Sequence, residues 1–104
     1  GNYEHAIFLR VALESIFNAP KESKEATIAK RAAILFQDFE STDVIKKFKA
    51  FYTQTSVAIH TGKVPKKPKN NSKERKVKFG ELFFYDMLVL ASEYIIDKGF
   101  PEWE

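Results

Sequence analysis

Near its middle the sequence places Thr53, Ser56 and His60 at three- and four-residue steps, which puts them on one edge of a helix. A histidine side chain can take up or give back a proton. The groups that would complete a catalytic site do not accompany it. There is no Ser/His/Asp arrangement, no Gly-rich phosphate loop and no zinc spacing. The plain reading of His60 is a histidine whose charged form suits the C-terminal end of a helix dipole. His5 stands far away, so a histidine-held metal is not expected. Asp86, Glu93 and Asp97 fall on one helical line, but no histidine joins them. That line reads as a solvated or interface edge. No metal and no cofactor are expected.

A second chemistry is electrostatic. Lys63, Lys66, Lys67, Lys69, Lys73, Arg75, Lys76 and Lys78 face a single acid, Glu74, within the run 63–78, whereas the rest of the chain is net acidic. Such a run can hold phosphates by releasing their counterions. It has no aromatic residue before Phe79, so stacking of single-stranded bases is not expected.

These residues need a scaffold, and 104 residues suit one domain around one core. The 44% hydrophobic content excludes compositional disorder, and four glycines with four prolines favour few, long elements. Cysteine is absent, so disulfides and thiolate metal sites are excluded. Residues 87–91 form an uncharged apolar run too short for a bilayer, and no signal-peptide pattern opens the sequence. A cytoplasmic location is expected, without membrane contact. The opening Gly1-Asn2, turning helical almost at once, points to a domain excised from a larger parent protein.

Apolar spacing predicts four main helices. The first covers 3–18, with Ala6, Leu9, Leu13, Ile16 and Phe17 inward, Ile7 and Val11 widening that face, and Glu4, Arg10 and Glu14 opposite. It ends before Pro20. The second covers 21–37, with Ser23 as N-cap, Ile28, Ala32, Leu35, Phe36 and Phe39 making the buried stripe, and Lys24, Lys30 and Arg31 in water. The third is capped by Ser41 or Thr42, buries a stripe through Ile45, Phe48, Tyr52, Thr55 and Ile59, joined by Val44, Phe51 and Ala58, and stops at Gly62. A long polar loop over 64–78 follows. The fourth covers 79–98 and is apolar around most of its circumference. It should therefore be central in the bundle or an interface with another chain.

With these residues placed, the chain resembles the HEPN superfamily, and within it the Apea-like HEPN domains. The resemblance rests on Ala12-Leu13-Glu14-Ser15-Ile16-Phe17, on Ala29-Lys30-Arg31-Ala32-Ala33-Ile34-Leu35, and on the segment from Phe48 to His60 with Tyr52, Thr55 and Ser56 inside it. It implies a single HEPN-like helical domain over 1–104. In the active ribonucleases of that superfamily an arginine binds the scissile phosphate and a histidine assists proton transfer at the ribose 2′-hydroxyl, facing the same pair in a second protomer. His60 matches that histidine, and Ser56 matches the polar residue after the arginine. The arginine position is Thr55, which supplies neither charge nor a guanidinium fork.

The expectation is thus a non-catalytic HEPN-like module in an RNA-related or defence-type protein. It would form a homodimer through apolar helix surface and contact RNA through the 63–78 run. Two alternatives stand beside it. One is a metal-independent ribonuclease in which His60 works with a substitute cation, Arg31 or Lys63. The other is a protein-interaction domain with no nucleic-acid role.

Overall fold

The computed structural model describes residues 2–62 and 78–103. It is an all-α bundle, with helices α1 (Asn2–Phe17), α2 (Lys24–Leu35), α3 (Ser41–Thr61) and α4 (Phe84–Lys98) and a 3-10 turn at Phe79–Glu81. The run 63–77 lies outside the described residues.

The helix ends follow local chemistry, with two departures from the expected caps. α1 stops where Asn18 turns left-handed (φ 44°) ahead of Pro20, a conformation asparagine tolerates better than most residues. Its last carbonyls are not left to water. Arg31 donates to the Phe17 and Asn18 oxygens at 2.7 Å each, and so closes the C-terminal end of α1. Arg31 was expected in solvent; it is instead a tie between α1 and α2. Ser23 does precede α2, but in a left-handed conformation (φ 57°) with no side-chain cap bond. Side-chain capping needs an extended backbone at that position. α3 starts after Glu40 rather than Ser41 or Thr42. Gly62 (φ 74°) ends it, its N–H donating to the Ala58 oxygen at 2.6 Å.

α3 is the hub, packing on α1, α2 and the 3-10 turn. Its buried face is Val44, Phe48, Phe51, Thr55 and Ala58. The core around it is aromatic. Phe48 meets Phe17 edge-on at 5.3 Å, Phe36 lies 5.2 Å from Phe79, and Phe51 stacks on Phe84 at 4.3 Å. Such pairs add about 1 kcal/mol each beyond their buried area.

The fourth helix is shorter than its apolar pattern suggests. Phe79 and Phe84 both reach α3, at Phe48 and Phe51. In one continuous helix, residues five apart point about 140° away from each other. Leu82 and Phe83 are therefore extended (ψ 139° and 163°), and the break lets both rings enter the core. α4 is also not central. It lies along α1 and leaves Val89 and Ile96 in water. On α1, Ile7 and Val11 do not widen the buried face either; they are exposed, as is Phe8.

Candidate functional site

The polar edge of α3 is organised from α1. Thr55 lies within the buried stripe, 2% exposed, so its hydroxyl needs partners inside the protein. Arg10 provides one. Its Nε donates to Thr55 Oγ1 at 2.9 Å, one terminal nitrogen to the Tyr52 hydroxyl at 3.2 Å, and the other to the Tyr52 carbonyl at 3.4 Å and to Ser56 Oγ. The guanidinium carbon sits 4.0 Å from the centroid of the Tyr52 ring, within cation–π range. The Thr55 hydroxyl in turn donates a hydrogen bond to the Tyr52 carbonyl at 2.7 Å, and the Ser56 hydroxyl does so at 3.3 Å. Among the described residues no buried side-chain nitrogen or oxygen lacks a hydrogen bond.

The network continues outward. Arg10 pairs with Glu14 at 3.9 Å, one helical turn along, and Glu14 accepts from Lys24 Nζ at 2.9 Å. One line of polar contacts thus joins α2, α1 and α3. Arg10, Glu14 and Lys24, expected on solvated faces, are all half-buried in it. Arg10 could have been found from the sequence. A threonine inside an apolar stripe demands a polar partner, and α1 carries a single guanidinium.

The expected site residues separate into three groups. Thr55 and Ser56 are brought together and engaged by Arg10. His60 stands one turn beyond Ser56, exposed beside exposed Val57 and Thr61. Of the basic run, Lys78 is described: it is exposed, immediately before the 3-10 turn. Lys63, Lys66, Lys67, Lys69, Lys73, Arg75 and Lys76 lie outside the described residues. Arg31 is not beside His60. It holds Phe17, whose ring meets Phe48, and Phe48 is twelve residues from His60, about 18 Å along the helix.

Chemically, the site brings a guanidinium to Ser56, which lies one helical turn before His60. Every nitrogen of that guanidinium is already spent on the protein itself, which suits a structural clamp better than a phosphate ligand. Among the described residues no group of three or more His, Cys, Asp or Glu could hold a metal ion, and no helix is long and apolar enough to cross a membrane. Elsewhere, burial and the nearby Asp38 carboxylate raise the pKa of the Tyr94 phenol. No protein-family model, curated protein or solved structure matches the chain.

Proposed function

We propose that the chain is a non-catalytic HEPN-like helical module of a larger RNA-related or defence-type protein, and that it works by binding. It self-associates along the exposed end of α3, around Val57 and His60, and contacts RNA phosphates through the basic run 63–78. The observation that carries this reading is the state of Arg10. Among the described residues, the guanidinium that reaches Ser56, one turn before His60, is engaged by Thr55, Ser56 and Tyr52, which supports a reading in which it does not hold a scissile phosphate. The RNA half rests on the charge of the run, which opposes the net acidity of the remaining chain.

The test is RNA binding and cleavage by the purified chain across a salt series, with its mass measured in the same buffer. Binding that weakens steeply with salt, without cleavage, is the expected result. Metal-independent cleavage abolished by His60→Ala would replace this reading with the ribonuclease one. The placement of Arg10 at Ser56, one turn before His60, gives that alternative its specific support, and Arg10→Lys would then lower cleavage as well. Absence of salt-dependent RNA affinity would leave a protein-interaction domain.

A further inference from the structure

α1 and α4 run side by side in the same direction. His5 meets Tyr85 near their starts (ring centroids 5.5 Å), and Phe17 at the end of α1 meets Trp103 just beyond α4 (5.8 Å). Between them, on the outer surface, lies a groove of about 350 Å³. One wall is Phe8, Ala12 and Ile16; the other is Val89, Ser92 and Ile96. Ala12 and Ser92 are small and sit mid-groove, while Phe8 (61% exposed), Val89 (56%) and Ile96 (85%) stand up at its edges. From Phe8 to Ile16 the groove spans about 12 Å. That is room for two to three turns of a helix inserting apolar residues at i, i+3 or i+4, and i+7.

The charge around this apolar strip is one-sided. Glu93 lines it, and Asp97 follows one turn on. Asp86 lies on the same acidic line of α4. Among the described residues no lysine or arginine lines the groove. A second copy seated here would set Glu93 and Asp97 against the same acidic line, and like charges facing each other disfavour an interface. The anionic head groups of a membrane meet the same objection. A helix with a narrow apolar stripe flanked by lysine or arginine satisfies both the groove and its rim.

We infer that the α1–α4 groove is a docking site for a cationic amphipathic helix of a partner protein. It uses different residues from the α3 edge and does not depend on RNA binding. The test uses the whole chain and three labelled peptides of about five turns. In the first, leucines at i, i+3, i+4 and i+7 repeat among lysines. The second replaces lysine by glutamate, and the third scrambles the first. Anisotropy should show saturable binding of the first, about tenfold or more weaker binding of the second, and none of the third. Ile96→Lys should reduce the first peptide's affinity by about tenfold, and Glu93→Gln by a few-fold, with the melting temperature unchanged. Three results overturn the inference. The scrambled peptide binding as tightly as the patterned one would reduce the groove to plain charge attraction. An unaffected Ile96→Lys variant would move binding elsewhere. A dimer that Ile96→Lys dissolves would make a second copy the occupant.

Discussion

α1 has two flanks that meet the rest of the protein in opposite ways. Towards α3 it spends a guanidinium, with a hydrogen bond or ring contact to each of Tyr52, Thr55 and Ser56, and closes the seam. Towards α4 it offers Phe8, Ala12 and Ile16 and leaves the seam open. The two flanks show how the same helix can be fixed and still available. The polar side sets where α1 lies, since directional bonds allow one register. The apolar side, which dictates no geometry, is left to receive something else.

This contrast can be broken most forcefully at Thr55. Thr55→Arg would place an arginine on α3 and press a second guanidinium against Arg10 in a buried position. The expected loss is about 4 kcal/mol or more, read by urea unfolding. Combining it with Arg10→Ala should recover part of that loss; if the double variant is no better than Thr55→Arg alone, the clamp is not what Thr55 serves. Arg10→Ala alone should cost about 2–4 kcal/mol, because Thr55 loses its donor in the core. The melting temperature should fall by about 10 °C or more. Arg31→Gln, which uncovers the last carbonyls of α1, should cost about 1 kcal/mol. On the open flank, Ile96→Ser should stay within about 0.5 kcal/mol of the parent, because that side chain rests on water. A large loss there would mean that the seam is closed after all.

The smallest effect concerns pH. The Tyr94 phenol donates to Asp38 Oδ2 at 3.5 Å and has its pKa raised. Around pH 10.0, the ordinary pKa of a tyrosine, the unfolded chain loses this proton before the folded one does. The contribution of Tyr94 is therefore whole below that pH and shrinks as pH climbs towards the raised native value. Subtracting the stability of Tyr94→Phe from that of the parent across pH 9–11 should show a shallow downward slope.

Much of this was legible in the sequence where apolar spacing speaks for itself. Leu9 and Leu13, Ile28 and Ala32, and Phe48 with Phe51 fix three helices and their inward faces. Gly62 marks a stop that only its left-handed backbone explains. Polar residues were harder, because a charge on a helix reads as solvated until its partner is known. Arg10, Lys24 and Arg31 found their partners across helix boundaries, through contacts that spacing along one helix does not encode. α4 misled for the converse reason. Its apolar residues run nearly all round, so nothing in the pattern said which of them would face water, and the break at Leu82 and Phe83 depends on two rings competing for one face of α3. The HEPN resemblance and the binding it implies are tested in solution, through RNA and mass.

The pairing of the two ends of the chain has one more consequence. Arg10 and Thr55 are 45 residues apart, and His5 and Tyr85 are 80 apart. α2 and α3, by contrast, are neighbours in sequence and pack extensively. Contacts between near segments form cheaply, and those that close long stretches of chain come later. The α2–α3 pair should thus assemble first, with α1 and then α4 docking onto it. Amide hydrogens of α4 should exchange faster than those of α3. Any helix that settles in the α1–α4 groove would then staple the last-formed seam and slow exchange there first, so that occupancy is written into the order in which the molecule comes apart.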